Sequence, residues 1–157
     1  MYLNENILRM TMNLRSNFGR LADKLIKEGK KQKAEKVIDT AMKVMPRDQV
    51  PYNFFMLQFP DYYYKVDEQE KAREIMRKLA DTYKQQYNYY APLGSQYQRK
   101  YQQAQAVIYR LQQMADRNGD DEMKQEMSNI MSSIGAGMGR TPQQQQQQQR
   151  APQKQRQ

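Results

Sequence analysis

The sequence predicts an all-α fold of about six helices, arranged as antiparallel helix pairs and followed by a disordered C-terminal tail. Three observations carry that expectation. Apolar residues recur at three- and four-residue spacing almost throughout, no segment alternates as a strand would, and glycine, proline, asparagine or aspartate punctuates each helix-length stretch.

From the N-terminus, Leu14, Phe18, Leu21 and Leu25, with Ala22 and Ile26 beside them, form one apolar stripe. It ends at Gly29, which takes the left-handed conformation of a helix end without a Cβ clash. A second helix spans about Lys31 to Met45 on Ala34, Val37, Ile38, Ala41 and Met45, and stops at Pro46. Pro51 opens a third, carrying Phe54, Phe55, Leu57, Phe59, Tyr63 and Tyr64, and Pro60 should kink or break it. Asp67 and Glu70 read as a capping pair for a fourth helix on Ala72, Ile75, Met76, Leu79 and Tyr83. After an aromatic stretch broken around Pro92 and Gly94, a fifth helix from about Ser95 to Arg117 carries Tyr97, Tyr101, Ala104, Ile108, Leu111 and Ala115. Asn118 and Gly119 end it. Asp120 or Asp121 caps a sixth on Met123, Met127, Ile130, Met131 and Ile134.

Domain organisation follows from composition. Residues 140–157 contain seven consecutive glutamines, two prolines, four basic residues and no acidic or large apolar residue, so they have nothing to bury against their ordering entropy. Residues 1–139 are therefore expected to form one helical domain, and residues 140–157 a disordered, glutamine-rich basic tail. The tail accounts for four of the nine net positive charges, which leaves the body only modestly basic. Lysines 24, 27, 30, 31, 33 and 36 are interleaved with Asp23, Glu28 and Glu35, the pattern of a solvated helical surface rather than a nucleic-acid footprint.

The chain has no cysteine and no histidine. That excludes disulfide frameworks, thiolate chemistry and histidine-based acid–base or metal chemistry. No apolar run approaches the roughly twenty residues of a membrane span, and the start lacks the basic and apolar regions of a signal peptide. Asp116, Asn118 and Asp120 match half of a calcium loop, but the turn glycine's place is Asp121 and the bidentate glutamate's place is Met127, so helix stop and cap explain them. Gly135 to Gly139 has neither a following helix nor a lysine in register for phosphate binding. No catalytic residue, metal site or cofactor is expected, and the segment is expected not to be an enzyme.

An internal period organises the helices. The pattern Phe18-x2-Leu21-Ala22-x2-Leu25, then Ala34-x3-Ile38-x2-Ala41-x4-Pro46, is the spacing of a tetratricopeptide repeat, with small residues where two helices approach closely. Aligning Asp67 with Gly29 gives a second copy, Met56-x2-Phe59-x3-Tyr63, then Ala72-x3-Met76-x2-Leu79, with Pro60 in a small-residue place. Ala34 and Ala72 are 38 positions apart. The usual period is about 34, so an insertion is expected around Arg47 to Pro51. A third, degenerate pair runs from Ile108 to Met131 around Gly119, with Lys124 at the close-contact place. The expectation is three antiparallel pairs in a right-handed stack over residues 13–134.

A narrower likeness rests on Met1-Tyr-Leu-Asn-Glu-Asn6, Leu8-Arg-Met10, Asn13-Leu-Arg-Ser-Asn-Phe18, Val44-Met-Pro46, Val50-Pro-Tyr-Asn-Phe54 and Asp61-Tyr-Tyr-Tyr-Lys65. Over about residues 1–130, the chain resembles the soluble C-terminal region of bacterial polytopic membrane proteins of unknown function, whose transmembrane part is similar to protein O-mannosyltransferases. The resemblance implies a tail domain of a glycosyltransferase-like parent, lying on the periplasmic side, with any catalytic residues in the membrane part. A free-standing chain would instead be cytoplasmic.

Tyr63, Tyr83 and Tyr101 fit the layer between helices. One turn off the packing stripe, Asp23, Ile26 and Lys27 in the first pair match Asp61, Tyr64 and Lys65 in the second, and these six are the candidate partner groove. Lys27 and Lys65 resemble the basic clamps by which some tetratricopeptide domains hold a terminal carboxylate. Asp23 and Asp61 stand where those clamps use asparagine, which argues against such a role. The expected function is a non-catalytic protein-interaction or scaffold module with a protein or peptide partner. The alternative is an RNA- or DNA-binding helical array that uses the basic surface and tail.

Overall fold

The computed structural model describes residues 5–45, 52 and 54–136. Among them are six α-helices and no strand: α1 (Glu5–Lys27), α2 (Lys31–Val44), α3 (Gln58–Lys65), α4 (Gln69–Tyr90), α5 (Gln98–Arg117) and α6 (Asp121–Ala136). Short 3-10 turns at Phe54–Leu57, Ala91–Leu93 and Ser95–Tyr97 lead into α3 and join α4 to α5. None of the helices is long and apolar enough to cross a membrane. The tail, the insertion expected at Arg47 to Pro51 and the stop at Pro46 lie outside the described residues.

Three hairpins, α1–α2, α3–α4 and α5–α6, turn in the same way. At the second residue beyond each leading helix end, Gly29, Asp67 and Gly119 have φ of +72°, +68° and +69°. The next N–H then reaches back five residues: Lys30 to Leu25, Glu68 to Tyr63 and Asp120 to Ala115, at 2.8, 2.9 and 2.9 Å. Each turn thus satisfies carbonyls that the helix end would leave bare. The geometry corrects the reading of Asp67 as an N-cap. Asp67 ends α3, while Glu68 stands at the N-cap of α4 without a side-chain capping bond.

Within the hairpins the small residues lie where the helices touch. Ala22, Ala34 and Ala72 are fully buried and Ala41 is nearly so, beside Ile38, Met76, Leu79, Ile108 and Leu111. Consecutive helices pack on one another, α3 also packs on α1 and α2, and α6 on α4, so a single core runs through the hairpins. Tyr63 and Tyr83 are buried in it and Tyr101 packs against it.

Two further expectations need correction. First, α1 begins at Glu5, and Leu14 and Leu21 lie largely exposed on it. Phe18, Ala22, Leu25 and Ile26 do face inward as expected, but Arg15 and Gly19 join them in place of Leu14 and Leu21, since α1 meets α3 as well as α2. Gly19 admits α3 so closely that a Cβ there would stand 2.8 Å from Gln58 Nε2. Second, Pro60 does not break a helix. It is the third residue of α3, where a missing N–H costs no intrahelical bond, and it is buried at the place of Ala22.

Candidate binding groove

The matched turns put equivalent side chains at equivalent places. Counting back two residues from Gly29, Asp67 and Gly119 gives Lys27, Lys65 and Arg117, the basic residues of the three leading helix ends. Their charge is favourable there because the carbonyl end of a helix is partially negative. Four residues earlier stand Asp23, Asp61 and Gln113. In the first two hairpins the pair closes as an ion pair, Lys27–Asp23 at 2.6 Å and Lys65–Asp61 at 2.7 Å. In the third, Gln113 cannot supply a carboxylate.

Tyr62 lies between the first two pairs. Lys65 Nζ sits 5.8 Å from the centre of its ring. Its hydroxyl donates to Gln58 Oε1 at 3.3 Å, and its pKa is raised by burial and then by the negative charges of Asp23 and Asp61. Four of the six sequence candidates, Asp23, Lys27, Asp61 and Lys65, therefore gather around one phenol. The other two point elsewhere. Ile26 packs against the core, and Tyr64 Oη donates a 2.7 Å hydrogen bond to Asp120 at the N-terminus of α6.

Beside these pairs an open groove of about 620 Å³ separates α1 and α3 from α5. Ser16 of α1, Phe54, Phe55 and Leu57 of the 3-10 turn, and Gln58 and Asp61 of α3 line one side; Arg110, Gln113, Met114 and Arg117 of α5 line the other. Of the six candidates only Asp61 lies on its wall. Two smaller hollows continue it past Phe54, towards Tyr83, Tyr90 and Lys100 and towards Val107 and Tyr109.

Phe54 and Phe55 are 47% and 46% exposed, whereas Phe59, four residues on, is 1% exposed. The Arg110 guanidinium sits 5.3 Å from the centre of the Phe54 ring, a cation–π contact. Among the described residues, neither Arg110 nor Arg117 has a carboxylate within ion-pairing distance. No acidic residue occurs between Asp81 and Asp116, so α5 brings only positive charge to the groove until its last turn. Asp116 there is held by Lys124.

Sequence reasoning missed the phenylalanines and the α5 wall. The phenylalanines looked like part of an apolar stripe, and only the 3-10 turn rotates them outward. Arg117 was within reach: aligning Gly119 with Gly29 and Asp67 places it beside Lys27 and Lys65. Among the described residues no group of three or more acidic side chains is placed to hold a metal ion. Compared with known proteins, the chain matches no family model, no curated protein and no solved structure.

Proposed function

We propose that this chain is a non-catalytic interaction module of the tetratricopeptide kind, which receives a protein or peptide segment in the groove between α1, α3 and α5. The observation that carries the reading is the exposure of Phe54 and Phe55 side by side in a concavity. Aromatic rings half open to water in a hollow gain by being covered, and such anchors dominate recognition surfaces. The three matched turns, with the alanine contacts of the first two hairpins, support the repeat reading. Among the described lining residues the one carboxylate, Asp61, is paired with Lys65, and the chain has no histidine or cysteine to act as an imidazole base or a thiolate nucleophile. The motif resemblance supports a place for the module at the C-terminal, non-membrane end of a glycosyltransferase-like parent.

Site-specific photo-crosslinking in the producing cell tests the reading. Phe55→p-benzoylphenylalanine should yield discrete protein adducts, and the same residue at exposed Thr40 on α2 should not. Nucleic-acid adducts at position 55 would favour the basic-array reading, and equal protein adducts at both positions would remove the groove from consideration.

A further inference from the structure

Charge and shape together narrow what the groove accepts. The charges on its α5 wall are all positive, and among the described residues neither Arg110 nor Arg117 pairs with a carboxylate, while its phenylalanines offer apolar area between the walls. The two arginines are seven residues apart, about 10 Å along a helix, too far for one carboxylate to bridge both. The opposite wall carries Gln58 and Asp61, groups suited to peptide N–H donors.

We propose that the ligand is an acidic peptide segment in which a leucine or aromatic side chain, covering Phe54 and Phe55, is flanked by two side-chain carboxylates that pair with Arg110 and Arg117. This rests on the groove being a peptide site. The charge read is that of side chains along the segment, not of a chain terminus, because two separated cations require two anionic groups. Peptide is favoured over nucleic acid because the α5 wall offers two separate cations about 10 Å apart along one helix, a spacing that suits two side-chain carboxylates and not an unbroken row of phosphates. A peptide instead presents carboxylates to one wall and backbone amides to the other.

The third hairpin shows how the arginine pair comes to be available. Lys27 and Lys65 each have an aspartate four residues earlier that occupies them. Arg117 holds the equivalent place, but its aspartate is replaced by Gln113, so the cation faces the groove with no ion-pair partner among the described residues.

Panning a random dodecapeptide phage library on the full 157-residue chain at physiological salt tests the proposal. Enriched sequences should carry two or more Asp or Glu residues around a leucine or aromatic residue. C-terminally amidated copies should bind at least tenfold more weakly to the Arg110→Glu, Arg117→Glu variant, whose helical circular dichroism should be unchanged. The basic tail is present in both proteins, so it cannot produce that difference. Enriched peptides without an acidic excess that still depend on Phe54 and Phe55, read from Phe54→Ala with Phe55→Ala, would overturn the acidic ligand and leave the groove standing. No enrichment, or peptides indifferent to all four substitutions, would overturn the groove itself. A ten-nucleotide oligouridylate that binds more tightly than the peptides, with the same loss in the arginine variant, would overturn the choice of peptide.

Discussion

Tyr64 and Asp120, 56 residues apart in the chain, meet through a 2.7 Å hydrogen bond from the phenol to the carboxylate. Asp120 is 1% exposed and accepts hydrogen bonds from three elements. Arg73 of α4 grips it bidentately at 2.8 and 2.7 Å, Tyr64 of α3 bonds it, and the Met123 N–H caps α6 on it at 3.1 Å. One side chain thus closes the third hairpin's turn and ties that hairpin to the second.

Asp120→Asn should destabilise the fold by about 3 kcal/mol, because it removes the buried charge that partners Arg73 and leaves that cation only its more exposed partners Glu70 and Glu122. Tyr64→Phe removes a single charge-assisted bond and should cost about 1.5 to 3 kcal/mol. Urea titrations of the three proteins give both numbers. Equal stability of Asp120→Asn and the parent chain would show that the cluster contributes nothing net.

The same carboxylate makes an acid limb of the stability curve. Burial alone would raise the Asp120 pKa, but the bonds from Arg73, Tyr64, the Met123 N–H and Gln69 outweigh it and hold the group well below the usual carboxylate range. A carboxylate depressed in the folded state contributes fully above the unfolded value of about 3.9 and loses that contribution as pH falls below it. Melting temperature should therefore drop below about pH 4, and drop less steeply in Asp120→Asn. Parallel curves for the two proteins would contradict this.

Arg15 is as buried as Asp120, at 1% exposure, and burial lowers its pKa, with nearby Tyr52 opposing. Its guanidinium donates to the Met45 carbonyl at the C-terminal end of α2 at 3.3 Å and lies 6.0 Å from the centre of the Tyr52 ring. Arg15→Ala should cost about 2 to 4 kcal/mol through lost packing and an unsatisfied carbonyl. Arg15→Met, which refills the volume, should recover part of it. Chemical denaturation orders the three.

Gly29 and Gly119 isolate a backbone effect. Their φ values are left-handed, yet a Cβ at either would meet nothing within 4 Å. Gly29→Ala and Gly119→Ala should each cost about 1 to 2 kcal/mol, all of it conformational. Asp67 already accepts the same conformation as a non-glycine, which aspartate tolerates better than most residues. A neutral result in a thermal melt at both glycines would mean that the turns relax instead.

The helices and most core positions were legible in the sequence because burial imposes a period, and Ala34, Ile38, Ala41, Ala72, Met76 and Leu79 all carry it. The α1 stripe was misjudged because hydrophobicity alone cannot reveal that a glycine and an arginine face inward while Leu14 and Leu21 do not. Arg15 is drawn inside by a carbonyl and a ring distant in sequence, and Gly19 by the approach of α3. The groove was half legible for a related reason. Residues Asp23 and Asp61 were recognised as equivalent, but side-chain pairing had already spent their lysines. The open cations stand on α5, where the repeat is broken.

That break can be undone. Gln113→Asp restores the aspartate found at positions 23 and 61, four residues before the cation and in the favourable order along a helix. Fold stability should change little, by at most about 0.5 kcal/mol in the stabilising direction. Arg117 would then be occupied as Lys27 and Lys65 are, and one of the two exposed cations of the α5 wall would be neutralised. An acidic peptide selected on the parent chain should bind several-fold more weakly, and the loss should shrink as salt is raised, because screening weakens a surface pair and a peptide contact alike. Arg117→Gln should reproduce the loss, and combining it with Gln113→Asp should add only the repulsion of one new carboxylate. Unchanged peptide binding in Gln113→Asp would mean that the missing aspartate of the third hairpin has no bearing on what the groove receives.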